Sequence, residues 1–241
     1  MKKEVNNPIW ISEIQSPRAL LIVAHPDDET IFAGGLILTS IDTDWTIIAC
    51  IIEKPEREEE FQCACNFLEE KSNNRITPIV LSHGTPKTEE KLCNELRKFT
   101  NGYDIVFTHN YKGEYEGQYD PNHHHIMVHR CVVNTIAHPN TWLFISRGSW
   151  NVDQDEFMYD SLSGKKWIDI PFKILNLKKK IFHQCHVSQA KCYGYDEKTG
   201  MLRETALKST LNWSFNAGSE EYTFFSKGIY DRFFRPQGLD G

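Results

Sequence analysis

The stretch Leu20-Leu21-Ile22-Val23-Ala24-His25-Pro26-Asp27-Asp28-Glu29-Thr30 is a short, β-favouring apolar run. It stops at a histidine and two adjacent carboxylates before a helix-like segment begins. In a parallel α/β fold the carboxyl end of a strand opens into the ligand crevice, so side chains placed there face a ligand. Histidine with aspartate is also a donor set that suits a divalent metal such as zinc. A second carboxylate beside the ligand is placed to activate a water, and the combination points to metal-assisted hydrolysis.

Outward from this strand, the chain up to Ser146 alternates strand and helix. Strands are expected over Leu20–Ala24, Trp45–Ile52, Ile76–Leu81, Asp104–Thr108 and Thr141–Ser146, with Trp45–Ile52 reading as a strand buried on both faces. Helices are expected over Glu29–Ser40, Glu56–Lys71, Thr88–Thr100 and His123–Ile136. Such alternation predicts an α/β, Rossmann-like, doubly wound and mainly parallel sheet of order 3-2-1-4-5. In that order strands one and four lie side by side where the winding reverses. His25, Asp27 and Asp28 leave one strand end and His109-Asn110 the other, so the topology predicts that the two polar clusters share a crevice. The loop after Asn110 is polar and rich in Gly and Tyr. It runs for about fourteen residues, longer than the usual βα connection, which marks it as functional.

The 241 residues are read as one domain, with a core over 18–146 and a C-terminal α+β lobe over 147–241. In the lobe, Trp167–Ile174 alternates like a strand that Pro171 consigns to an edge. Leu177–Tyr193 reads as a helix, with Lys178-Lys179-Lys180 as its solvated face, and Glu221–Phe234 as a last aromatic-rich element. A net charge of −6 argues against a nucleic-acid partner. No stretch is apolar enough for a membrane span or a signal peptide. The seven cysteines lack zinc-finger spacing and are read as reduced thiols of a cytoplasmic protein. A homo-oligomer stays open.

Three residues apart on a loop leaving a strand, His25 and Asp28 can reach one metal while Asp27 faces its water. A catalytic zinc needs a third protein ligand and an open position, and the run Asn122–His129 is where that ligand should be found. On a helix His125 and His129 share a face. The bland reading of His25–Asp28 is a capped strand–helix turn, yet a cap does not need a histidine and two carboxylates. His123 and His124 can equally be plain residues at a helix start, and Arg57 can simply pair with Glu58–Glu60 or Asp44. Glu29 reads as a first-turn residue bracing the site, and His109 and Asn110 as support behind it. Two other functions fit less well. A metal hydrolase of another amide or a phosphoester would want more Arg and Lys on the rim. A sugar- or nucleotide-binding module would have no use for a base, and Gly34-Gly35 is not the G-x-G-x-x-G fingerprint.

His25-Pro26-Asp27-Asp28-Glu29-Thr30 followed by Gly34-Gly35 resembles the opening motif of the PIG-L/LmbE-like de-N-acetylases. The resemblance continues through Arg57–Phe61 with Ala64, Cys65 and Leu68, Tyr103–Asn110, Gly113–Tyr115, His124–Ile126 with Val128-His129, and Ser188-Gln189. It implies a hydrolase that removes acetyl from N-acetylglucosamine-type amino-sugar conjugates with a bound metal, zinc or ferrous iron. It further implies His25, Asp28 and His125 as ligands and Asp27 as the general base. The family's oxyanion-steadying histidine, three residues before the last ligand, is Asn122 here, and Tyr119–His123 carries one extra residue. Asn122, His123 and His124 therefore share the candidacy, with His124 the catalytic choice, Tyr119 as the shifted tyrosine, and Arg57, Tyr119, Asn122 and His123 on the substrate.

Overall fold

The computed structural model describes residues 9–81, 88–111, 124–136, 138–145, 165–192, 195–196, 201–202 and 219–224. The strands are β1 (Arg18–Val23), β2 (Ile41–Ala49), β3 (Asn73–Val80), β4 (Ile105–Thr108), β5 (Thr141–Ile145), β6 (Lys165–Asp169), β7 (Tyr195–Asp196), β8 (Met201–Leu202) and β9 (Ser219–Phe224). The helices are α1 (Asp28–Thr39), α2 (Glu56–Lys71), α3 (Glu89–Leu96), α4 (His124–Thr135), α5 (Phe172–Cys185) and α6 (Val187–Cys192). One sheet runs β3-β2-β1-β4-β5-β9-β6. Its first five strands are parallel, in the expected order 3-2-1-4-5, and β9 and β6 join antiparallel.

The central strand explains the two-layer core. Leu20 to Val23 are fully buried, so each contributes about 1.5–3 kcal/mol from leaving water. Alternate side chains point to opposite faces. Ala19, Leu21 and Val23 pack with Ile31, Phe61 and Ile181 of α1, α2 and α5, whereas Leu20 and Ile22 pack with Leu92, Leu96, Val128 and Val132 of α3 and α4. Pairing of Ile22 with Thr108 in β4 sets the carboxyl ends of β1 and β4 side by side.

The C-terminal part departs from three expectations. The strand over 167–174 ends at Asp169, and α5 starts at Phe172, because Pro171 at the helix N-cap has no N–H to lose and a φ of −54° that suits a helix start. The helix expected over 177–193 is broken at His186, which has φ −91° and ψ 54°. Lys178 is not on a solvated face. It is fully buried, with its Nζ 2.7 Å from Glu220 Oε1 of β9. The cysteine reading is also corrected: Cys63 of α2 and Cys185 of α5 form a disulfide, because the packing of α2 on α5 brings their Cα atoms to 5.3 Å. The reduced-thiol basis for a cytoplasmic location is thereby removed. Among the described residues no helix is long and apolar enough to cross a membrane.

Candidate active site

The end of β1 turns abruptly into α1. Asp27 sits at the N-cap with φ 115° and ψ −31°, a conformation that non-glycine residues rarely adopt. Its carbonyl accepts the N–H groups of Thr30 and Ile31, so the backbone starts the helix while the side chain makes no capping bond. The carboxylate is therefore left for other work. It is buried, with Oδ1 3.1 Å from Arg57 Nη2, and Oδ2 has no hydrogen-bond partner among the described residues. Burial pushes this acid up to about 7, while Arg57 holds it back. That places its proton exchange in the neutral range a general base needs.

Asp28 enters the first turn of α1 and meets three histidines. Its Oδ2 accepts the backbone N–H of His25 at 2.8 Å and lies 3.6 Å from His25 Nδ1, 3.5 Å from His109 Nε2 and 3.4 Å from His125 Nε2. Burial opposes ionisation of Asp28, but His125, His109 and His25 outweigh it and hold the carboxyl well below the usual carboxylate range. His25, Asp28 and His125 each offer a ligand atom, all within 4.8 Å of one another. Asp28 Oδ1 is buried with no hydrogen-bond partner among the described residues. Two imidazoles, a carboxylate and an orphaned buried oxygen fit a divalent metal. His25, Glu53 and His124 form a second such trio, with Glu53 exposed.

The surrounding residues orient these groups. The Ala24 N–H donates to His109 Nε2 at 2.9 Å, and the His109 ring stacks on His125 with centroids 3.9 Å apart. His129 Nδ1–H donates to the His109 carbonyl at 2.9 Å, so His129 braces the strand end while His125, one helical turn earlier, faces Asp28. The Asn110 amide donates to the Phe144 carbonyl. His124 Nδ1 stands 2.8 Å from His25 Nε2. Arg57 is turned inward, donating to the Pro26 carbonyl as well as facing Asp27, whereas Asp44 pairs with Arg75. Tyr119, Asn122 and His123 lie outside the described residues.

The sequence reading named Glu29 as a brace but missed its partner His186, and it missed the cluster around Glu220. Glu29 Oε2 accepts the Asp27 N–H at 2.9 Å, and its Oε1 stands 2.8 Å from Nε2 of the fully buried His186. Burial opposes both charges, yet each partner favours the other's ionisation, lowering the Glu29 acid and raising the His186 imidazolium. Glu220 Oε1 and Oε2 accept the N–H groups of Gly35 and Leu36 at 2.7 and 2.8 Å, and Lys178 completes the charge balance. The one hint was that His186 precedes the Ser188-Gln189 pair, whose serine bonds Glu60 through both its N–H and its hydroxyl.

Among solved structures the chain is similar to 4-carboxy-2-hydroxymuconate hydratase GalB from Pseudomonas putida, at 15% identity and TM-score 0.52 over 87% of this chain and 96% of that one. It is similar as well to the zinc-inhibited form of the teicoplanin deacetylase Orf2, at 11% identity and TM-score 0.54 over 86% and 97%. A triple mutant of a deacetylase of the teicoplanin biosynthetic pathway gives 12% and 0.57 over 86% and 98%. At such identities the likeness is one of fold. No curated protein sequence matches the chain. Residues 20–136, which carry His25, Asp27, Asp28, Arg57, His124 and His125, match the family model PIG-L, described as GlcNAc-PI de-N-acetylase. Through this segment, just under half of its length, the chain is similar to the PIG-L family of de-N-acetylases.

Proposed function

We propose that the protein is a metal-dependent hydrolase that removes the acetyl group from an N-acetylglucosamine-type amino-sugar conjugate, with His25, Asp28 and His125 holding zinc and Asp27 as the general base. The observation that carries this reading is the buried Asp27 carboxylate beside a three-donor set: Oδ1 is on Arg57, Oδ2 has no described partner, and its proton exchanges near neutrality. Zinc bound there supplies Lewis-acid polarisation of the amide carbonyl and a more acidic water. Ferrous iron suits the same donors.

The residues divide the work as follows. Asp27 accepts a proton from the water that attacks the acetyl carbon. As the C–N bond breaks it returns that proton to the leaving nitrogen, so water and amide become acetate and a free amino sugar. His124, beside His25, is the described candidate to donate a hydrogen bond to the carbonyl oxygen as negative charge builds there. Arg57 keeps Asp27 in place and favours its ionised form. The hydratase among the structural neighbours shows that the fold admits other chemistry, so the choice rests on the site and the family segment.

Acetate release from N-acetylglucosamine conjugates, measured on chelator-stripped and zinc-restored protein, tests the reading. Restoration should return activity, and Asp27→Asn should lower kcat/KM by about 10²–10⁴-fold with metal content unchanged. Full activity in Asp27→Asn, or no acetate from the zinc-restored parent on any amino-sugar conjugate, would overturn it.

A further inference from the structure

We propose that His186, from the junction of α5 and α6, is a positioning residue for Asp27 and acts through Glu29. The inference rests on Asp27 being the base. Three non-glycine residues among those described have positive φ, namely Ser16, Asp27 and Asp42. Ser16 and Asp42 are exposed, whereas Asp27 is buried. A strained backbone of this kind persists where its surroundings over-determine it, and such residues cluster at functional sites.

The contacts that over-determine Asp27 can be traced. Its N–H is held by Glu29 Oε2 at 2.9 Å. A carboxylate two residues on would be free to rotate about its own side chain unless its other oxygen were fixed. That oxygen, Oε1, receives Thr30 Oγ1–H at 2.7 Å and stands 2.8 Å from His186 Nε2. An ionised carboxylate accepts and does not donate, so Nε2 carries the proton. His186 is itself fixed, because its backbone N–H bonds the Phe182 carbonyl at the end of α5, and its ring is fully buried. The chain from α5 through His186 and Glu29 to the Asp27 amide is thus one hydrogen-bonded relay of position. It ends at the residue whose carboxylate must face the substrate amide, and a displacement of about 1 Å there costs about a hundredfold in rate.

The test compares full-length His186→Ala, His186→Gln and Glu29→Ala with the parent by kinetics, metal content and hydrogen exchange over residues 24–31. In His186→Ala the Asp27 amide should exchange faster. The value of kcat should fall by about a hundredfold, with KM within about twofold and metal retained. In His186→Gln the side-chain amide can donate in place of Nε2. It should restore the protection and bring kcat to within about tenfold of the parent. Unchanged Asp27 exchange in His186→Ala, or an exchange change with kcat untouched, overturns the proposal. If His186→Ala does not fold, Glu29→Ala decides, because without an acceptor for the Asp27 N–H it must speed Asp27 exchange and lower kcat with metal retained. A parent that releases no acetate defeats the functional reading instead, and the exchange comparison still decides the relay.

Discussion

Arg57 separates two roles that look alike in a sequence. Read from the chain alone it is either a substrate contact or a partner of Glu58–Glu60 or Asp44, while in the structure its guanidinium lies against Asp27 and the Pro26 carbonyl. The two roles differ in their pH signature. A protonated base is inactive, so kcat/KM rises with pH through the Asp27 acid. Burial raises that acid to about 7 and Arg57 draws it down. Removing the positive charge lets burial act with less opposition, so in Arg57→Gln the acid limb should move to higher pH. The variant should then lose more activity near pH 6 than near pH 8.5. A pH profile whose limb stays in place, with the same loss at every pH, would return Arg57 to the substrate. Residue identity alone did not reveal this, because Arg57 is thirty positions from Asp27 and faces it across the β1 and β2 strand ends. The meeting of the His25–Asp28 turn with the start of α4 was more legible, since the doubly wound order sets the β1 and β4 ends together, while the choice of His125 within that run came from the family resemblance.

At the scale of elements, α1 carries the site at one end and is pinned by β9 along its length. Gly35 is where that approach is closest. A Cβ there would lie 2.2 Å from Ile170 Cδ1 and 2.9 Å from Glu220 Oε1, whereas at Gly34 the nearest atom is Lys178 Cγ at 3.3 Å. Gly35→Ala should therefore push α1 off the Glu220 carboxylate that caps its Gly35 and Leu36 amides, costing about 1–3 kcal/mol. Gly34→Ala should be near neutral, since alanine's helix preference of about 1 kcal/mol offsets the tight contact. Thermal denaturation checks the pair: for a chain of this size each kcal/mol moves Tm by about 2–4 °C. Equal Tm values for the two variants would mean that α1 does not depend on this contact. The Gly-Gly pair was visible in the sequence, but its reason was not. The partner strand lies near the far end of the chain, and Lys178 reads as one lysine of three until Glu220 is placed against it.

For the molecule as a whole, the parallel half was readable because each strand is a short apolar run and each helix has apolar spacing, so local pattern and topology agree. The C-terminal part was read less well because its elements are defined by what they touch. His186 breaks a helix, and Lys178 and Glu220 are buried as a pair, choices made by packing on α1 and α2. The disulfide belongs to the same scale. Cys63 and Cys185 are 122 residues apart, and they join α2, which presents Arg57, to the last residue of α5, immediately before His186. Closing so long a loop restricts the unfolded chain, and losing the bond should lower stability by about 2–4 kcal/mol. The parent should therefore melt several degrees lower in the presence of a reductant. Cys63→Ala should melt at the lower temperature with or without it, since the link is already absent. A peptide map of the non-reduced protein should show the segments around residues 63 and 185 joined. If the map shows them separate, and reductant leaves the parent's Tm where it was, α2 and α5 are held together by their packed faces alone, through Phe61, Leu68, Ile181 and Phe182.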